Sequence, residues 1–372
     1  MTEEQKLLEE FNQRSKGHIQ RFISKDKKNI AVVSYYPTYR SQFGNLITKL
    51  KEKYNVITIV DRVLNDDFEK SGHHNVFFPW RVTEANQTYY PNVDIEEIDL
   101  IIVADQVGYE DGRIDREFLS KRAKRIYFPH RATCVCGATA TMDYIIVPSK
   151  TAMQGFQYRL KDNPKVKLLP SGYPQLDKAL QEYQYTPKNT ITYAPTLRYV
   201  ENDRNARLNA FAGSEITFLE WLLENTNYNI SYRAHPLNYS IGHYFYRLIN
   251  ASFAEEARFS IDANMGNAFF NSTDFLITDW STTSFTYSYT TLRPSFMFMP
   301  TPLDSNLEND GGYILENHHA KNLKELKTFL DNIDFTKEAQ YFKALRDENM
   351  YNLGHSTEAI LQNIEEILEG KL

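Results

Sequence analysis

Asp279-Trp280-Ser281-Thr282-Thr283-Ser284 sets a carboxylate and a cluster of hydroxyls directly after the short apolar run Phe275 to Ile277. A run of that length reads as a buried strand, and hydroxyl residues just behind it mark a helix start. Backbone N–H groups and hydroxyls at such a start hold a phosphate without a metal ion, although the same residues also make an ordinary N-cap. His235, followed by Pro236, closes a second strand-like stretch, Tyr228 to Arg233, where an imidazole can donate to the same phosphate. Arg198 and Arg233 end strands as well and have the fork geometry for a bidentate phosphate clamp. Arg293, ahead of Pro294, reads as a structural charge at the foot of the last strand.

The first half of the chain offers candidate bases. His130 follows the strand Arg125 to Phe128, and a neutral imidazole there would take the proton of an attacking hydroxyl. Glu110 and Asp111, ahead of Gly112, are the rival bases, although two acids before a glycine also make a common turn. His130, Cys134 and Cys136 amount to three metal ligands with no fourth nearby, so no metal site is expected.

The elements that must carry these residues alternate. Apolar runs at Ile30 to Val33, Val56 to Val60, Leu100 to Val103, Arg125 to Phe128 and Tyr144 to Val147 read as strands of one parallel sheet. Helical patterns fall at Glu3 to Ser24, Ser41 to Lys53 and Lys150 to Arg159. Tyr35-Tyr36-Pro37-Thr38-Tyr39 stands where a dinucleotide site would have its glycines, which argues against nicotinamide or flavin binding. A second series has strands at Thr190 to Tyr193, Tyr228 to Arg233, Phe275 to Thr278 and Pro294 to Met299. Its helices are expected at Glu215 to Glu224, Gly242 to Asn250 and Ser281 to Thr290, with a helical tail from Asn322 to Leu372. Ligands of open parallel sheets bind beyond the carboxyl ends of strands, so the phosphate-seeking residues share one predicted edge.

At 372 residues the chain is long enough for two domains. The expected bounds are 1–170 for an acceptor-side domain and 171–345 for a nucleotide-donor domain, with a helix over 346–372 packing back on the first. The breaker-rich Pro170-Ser171-Gly172-Tyr173-Pro174 is the expected crossing. A formal charge of −6 excludes general nucleic-acid binding. The two cysteines stand too close in sequence for easy disulfide geometry and fit a reducing cytoplasm. No run approaches the length of a membrane span, and Met1 to Gln20 lacks a secretory signal's apolar core. The expected location is the cytoplasm, with peripheral attachment to the inner face of the membrane, or to a capsule complex, left open.

Taken together, the motifs resemble those of the CDP-glycerol glycerophosphotransferases of teichoic acid and capsule synthesis. Tyr193-Ala194-Pro195-Thr196-Leu197-Arg198 is similar to their Tyr-Ala-Pro-Thr-aromatic-Arg, and Gly172-Tyr173-Pro174-Gln175-Leu176-Asp177 to their Gly-Tyr-Pro-x-x-Asp. Arg233-Ala234-His235-Pro236 resembles x-x-His-Pro, while Asp279-Trp280-Ser281-Thr282 and Arg293-Pro294 resemble Asp-Tyr-Ser-Ser and Arg-Pro. The likeness runs from about Ile126 to Pro300. It implies a GT-B fold, two Rossmann-like domains facing a central cleft, and a cytidine-nucleotide donor used without cofactor or metal. By resemblance His130 is the catalytic histidine and His235 the donor-phosphate histidine. The family usually has His-Gly where this chain has His130-Arg131.

A second resemblance is to bacterial sialyltransferases that use CMP-sialic acid, through Glu110-Asp111-Gly112, His235-Pro236 and Ser281-Thr282. The leading expectation is transfer of a polyol-phosphate unit from a CDP-polyol such as CDP-glycerol to a glycan or lipid-linked glycan acceptor, as in teichoic acid, capsule or lipopolysaccharide. The alternatives are sialic acid or Kdo transfer from a CMP-sugar, with Glu110 or Asp111 as base, and a non-catalytic nucleotide-binding component of a capsule-assembly complex.

Overall fold

The structure, a computed structural model, describes residues 3–34, 41–60, 76–77, 83–84, 87–88, 93–104, 120–133, 142–196, 214–235, 238, 244–263, 266–279, 281–300 and 317–372. Two compact units divide the chain. The first comprises Met1–Arg131, Val135–Asp177 and Tyr351–Leu372, and the second Ala132–Cys134 and Lys178–Met350.

In the first unit the strands are β1 (Asn29–Ser34), β2 (Asn55–Val60), β3 (Val76–Phe77), the hairpin pair β4 (Thr83–Glu84) and β5 (Gln87–Thr88), β6 (Leu100–Ala104), β7 (Lys124–Phe128), β8 (Tyr144–Val147) and β9 (Lys167–Pro170). Among the described residues the sheet runs β3-β2-β1-β6-β7-β8-β9, every pair parallel. Side chains alternate across a strand, so both faces of a covered parallel sheet must be apolar. Ala31, Val33, Ile57, Ile59, Ile101 and Val103 accordingly fill one face, and Ile30, Val32, Val56, Leu100 and Ile102 the other. Helices α1 (Glu3–Gln20), α2 (Leu46–Lys53) and α3 (Lys150–Arg159) belong to this unit, and α4 (Pro174–Glu182) carries the chain into the second.

The second unit has β10 (Thr190–Tyr193), β11 (Asn229–Tyr232), β12 (Phe259–Ile261), β13 (Phe275–Thr278), β14 (Ser295–Phe298) and β15 (His319–Ala320). Its helices are α5 (Glu215–Asn225), α6 (Tyr244–Ser252), α7 (Thr283–Thr291), α8 (Leu323–Asp331) and α9 (Phe335–Asn349). The strand order is β12-β11-β10-β13-β14-β15, again all parallel. Phe218, Leu219 and Leu222 of α5 and Leu326 of α8 pack with Ile191, Ile230, Ile277 and Phe296 of the sheet. The chain then returns to the first unit as α10 (Ser356–Leu368), whose Ile360, Ile364 and Ile367, one helical face, join the core that contains Ile30 and Val32.

Several elements depart from the expectation. Pro174 starts a helix, because its missing N–H costs nothing at a first helical position. The tail is three helices, interrupted where the Asp334 carboxylate caps α9 by accepting from Thr336 N at 3.1 Å and Lys337 N at 3.2 Å. Strands β12 and β15 are too short to leave an apolar run in the sequence.

Candidate active site

All strands of the second sheet point the same way, so the residues behind β10, β11 and β13 leave one edge of it. The chain starts in the middle at β10, winds outward through β11 and β12, then restarts on the other side at β13. Between β10 and β13 lies the switch point, where the connecting chains diverge and ligands of such sheets settle. Side chains stitch the two loops together there. Thr278 Oγ1 donates to the Ala194 carbonyl at 2.6 Å, and Thr196 N donates to Asp279 Oδ1 at 2.8 Å. Asp279 is completely buried. Asp279, a donor-binding candidate from the sequence, thus has one carboxylate oxygen committed to the Thr196 backbone.

His235 follows β11, is half-buried, and accepts Asn238 N at its carbonyl at 2.8 Å. Arg233, two residues earlier, forms an ion pair with Asp262, donates from Nη2 to the Gly266 carbonyl at 2.7 Å and lies 4.3 Å above the Phe269 ring. With 8% exposure its guanidinium braces the end of β11 against Asp262, Gly266 and Phe269, all from the connection between β12 and β13. Strands β11 and β13 flank β10, so the His235 and Ser281 segments leave the sheet about 10 Å apart, two strand spacings.

At the start of α7 the N-cap is Thr282, whose hydroxyl caps no backbone group. Ser281 works from one residue earlier: its Oγ accepts Thr283 N at 3.3 Å and donates to Thr283 Oγ1 at 3.1 Å, while its carbonyl accepts Ser284 Oγ at 2.8 Å. Residues 281–283 are half-buried and Ser284 is buried. The longest of these bonds, from Thr283 N, is the one an anion would most readily replace.

The opposite edge of this sheet is structural. Arg293 donates to Asp274 Oδ1 at 2.7 Å and stacks over Tyr185 at 4.0 Å and Phe335 at 4.9 Å. Burial pushes the Tyr185 phenol up to about 12; its hydrogen bond to Asp274 adds to the shift and the Arg293 charge opposes it.

In the first unit His130 follows β7 and is half-buried. Its Nε2 accepts a hydrogen bond from Arg131 Nε at 3.1 Å. Its carbonyl accepts the Tyr173 hydroxyl at 2.8 Å, and that phenol oxygen is 2.6 Å from Gln175 Oε1. Tyr173 belongs to a clasp that sequence reasoning did not resolve. Gly172 has φ +92°, and a Cβ there would sit 2.4 Å from both the Tyr351 carbonyl and Ser356 Oγ. The Ser356 hydroxyl accepts Tyr173 N at 2.8 Å, and the Asp177 carboxylate accepts Gly354 N and Ser356 N, each at 2.7 Å. The signal was present in the spacing: Gly, Pro and Asp at intervals that suit a tight turn, a first helical position and a carboxylate facing another helix's N-terminus.

Glu110, Asp111, Arg198, Pro236, Trp280, Cys134 and Cys136 lie outside the described residues. Among the described residues no group of three or more His, Cys, Asp or Glu is placed to hold a metal ion, and no helix is long and apolar enough to cross a membrane.

The family model for CDP-Glycerol:Poly(glycerophosphate) glycerophosphotransferase matches residues 123–366, more than half of the sequence. The chain belongs to that family. The glycerophosphotransferase match spans His130, the Gly172 clasp, His235 and the Ser281 helix start. Among solved structures, the wall teichoic acid polymerase TagF is similar at 17% identity, covering 96% of this chain and 95% of that one with a TM-score of 0.53. A putative UDP-N-acetylglucosamine 2-epimerase from Listeria monocytogenes is similar at 13% identity, covering 92% and 97%, with a TM-score of 0.54. The UDP-GlcNAc 2-epimerase of Methanocaldococcus jannaschii, in complex with UDP-GlcNAc and UDP, is similar at 10% identity, covering 91% and 99%, with a TM-score of 0.57. Likeness at these identities shows the shared fold, two parallel-sheet Rossmann-like domains of GT-B type. No curated protein matches the chain.

Proposed function

We propose that this member of the glycerophosphotransferase family transfers glycerol phosphate, or a related polyol phosphate, from a CDP-polyol to a hydroxyl of a cell-surface glycan such as a teichoic acid or capsule. The observation that carries the reading is the joining of Ala194 and Thr196 to Thr278 and Asp279 at the switch point of the second sheet, with His235 just past the adjoining strand. In this reading His235 and the hydroxyls and N–H groups of Ser281, Thr282 and Thr283 bind the donor diphosphate. His130 takes the proton of the acceptor hydroxyl as its oxygen bonds to the glycerol-bearing phosphorus. The bond from that phosphorus to the bridging oxygen breaks, and CMP leaves with the electron pair. Preorganised donors at the helix start meet the charge that grows on CMP, so no divalent ion is required.

CMP release from CDP-glycerol tests this. Removal of a general base costs roughly 10²–10⁴ in rate, so His130→Ala should fall by that factor, and His235→Ala by roughly 10²–10³ as a lost transition-state donor. Activity should persist in excess EDTA. Turnover of CMP-sialic acid or CMP-Kdo in place of CDP-glycerol, with His130→Ala still active, would move the chain to the sugar-transfer reading. Tight binding of CDP-glycerol with no CMP release, whichever glycan acceptor is offered, would favour a binding component.

A further inference from the structure

We propose that Arg131 is a latch on the lone pair of His130, opened by an anionic group on the acceptor, and that it thereby determines which acceptors this chain uses; the functional part of this rests on the transferase reading above. The argument begins with the direction of one hydrogen bond. A guanidinium stays protonated and has nothing to accept with, so in the 3.1 Å contact Arg131 Nε is the donor and His130 Nε2 gives the lone pair. Nε2 therefore carries no proton. The imidazole is neutral with its proton on Nδ1, the state a general base needs, yet the electron pair that would receive the acceptor's proton is already engaged.

For an acceptor hydroxyl to hand its proton to Nε2, the guanidinium must move away. An uncharged polyol offers Arg131 little in exchange. A phosphate offers two oxygens in the geometry of the guanidinium fork, and such charge-assisted pairs are roughly twice as strong as neutral hydrogen bonds. An acceptor with a phosphate near its attacking hydroxyl thus makes a swap: Arg131 turns to the phosphate oxygens, and Nε2 turns to the hydroxyl. The proton passes to Nε2, the hydroxyl oxygen bonds to the donor's glycerol-bearing phosphorus, and CMP departs with the electron pair. Without such an acceptor the lone pair stays covered and water is not activated against the donor. The backbone is held for this exchange, since the Tyr173 hydroxyl binds the His130 carbonyl at 2.8 Å and Gln42 Nε2 donates to the Phe128 carbonyl at 3.4 Å.

The test pairs a spectroscopic arm with a kinetic one, using full-length protein labelled with ¹⁵N-histidine and two probes, glycerol 3-phosphate and glycerol. The His130 signals are those lost in His130→Gln. Expected for the wild type is an Nδ1–H tautomer whose Nε2 resonance moves with glycerol 3-phosphate and not with glycerol; in Arg131→Ala neither probe moves it. In the kinetic arm, CMP release from CDP-glycerol should favour glycerol 3-phosphate over glycerol by about 10–100-fold in kcat/KM, the worth of one charge-assisted contact. Arg131→Ala, and Arg131→Gln as the variant that keeps an N–H donor without the charge, should bring that ratio to within about threefold. A proton on Nε2 in the wild type, equal effects of the two probes, or an unchanged ratio in both variants overturns the latch. Should no variant release CMP, the transferase reading fails by itself, and the tautomer and probe response still decide whether Arg131 covers His130.

Discussion

The side chains that fix where His130 stands differ from those that fix what it does. Tyr173 has a single phenolic proton and two oxygens within reach, the His130 carbonyl at 2.8 Å and Gln175 Oε1 at 2.6 Å. Turning the Gln175 amide about its last bond presents N–H to the phenol and leaves the phenolic proton for the carbonyl, which satisfies all three groups. Tyr173 then holds the His130 peptide, and on the proposed reading it positions the base without touching the reacting atoms. Tyr173→Phe should lower kcat for CMP release roughly tenfold with the donor KM unchanged, and cost about 1 kcal/mol of stability, one hydrogen bond's worth. A matching rise in donor KM would show that the phenol serves the donor instead. The place of His130 behind β7 was legible in the sequence because the apolar run ahead of it reads as a strand. The Arg131 contact was not, since a rotamer decides it, and the bracing roles of Arg233 and Asp279 were hidden because their partners, Asp262 and Thr196, come from other loops. At the far edge of the sheet, Arg293→Ala leaves the nearly buried Asp274 carboxylate without its ion pair. An urea titration should show a loss of about 3–5 kcal/mol, as for other broken buried pairs.

Among the elements, the strands were the easiest to read, and for a physical reason. A parallel sheet covered on both faces demands continuous apolar runs, and Tyr144–Val147, Thr190–Tyr193 and Phe275–Thr278 fall where those runs predict. Helix α4 was hidden because glycine and proline ahead of a helix look the same as a loop. Gly172 shows what that stretch is for. Its positive φ brings the chain within hydrogen-bonding distance of the α10 start, where Ser356 and the Asp177 carboxylate fasten the return of the chain to the first sheet. Gly172→Ala meets both a left-handed backbone angle and a Cβ position 2.4 Å from the Tyr351 carbonyl oxygen, a backbone atom that cannot swing aside. The expected loss exceeds the roughly 1–3 kcal/mol of an unfavourable φ alone, and the urea midpoint measures it. Asp177→Ala should cost about 1–3 kcal/mol by leaving the Gly354 and Ser356 N–H groups unmatched. An unchanged midpoint in either variant would mean that α10 is held by its isoleucines alone.

At the scale of the molecule both sheets follow one plan, a first strand in the middle, winding to one side and then restarting on the other. That plan makes a switch point in each unit, and among the described residues those suited to phosphate gather in the second. The described donor candidates, His235 and Ser281 to Thr283, all belong to the second unit, while His130, Arg131 and Tyr173 belong to the first. Donor affinity and proton transfer should therefore separate by mutation. Calorimetry with CDP-glycerol should give a Kd within about twofold of wild type for His130→Ala and Tyr173→Phe, because the proposed reading gives neither a donor contact. It should give a Kd raised about 10–100-fold for His235→Ala, which on the proposed reading removes a charge-assisted bond to a phosphate. Thermal shifts report the same division, since a ligand at a hundred times its Kd adds roughly 2.7 kcal/mol to stability and a tenfold weaker one much less. If His130→Ala loses the donor as completely as His235→Ala does, the two units do not divide the work this way, and His130 is a donor ligand before it is a base.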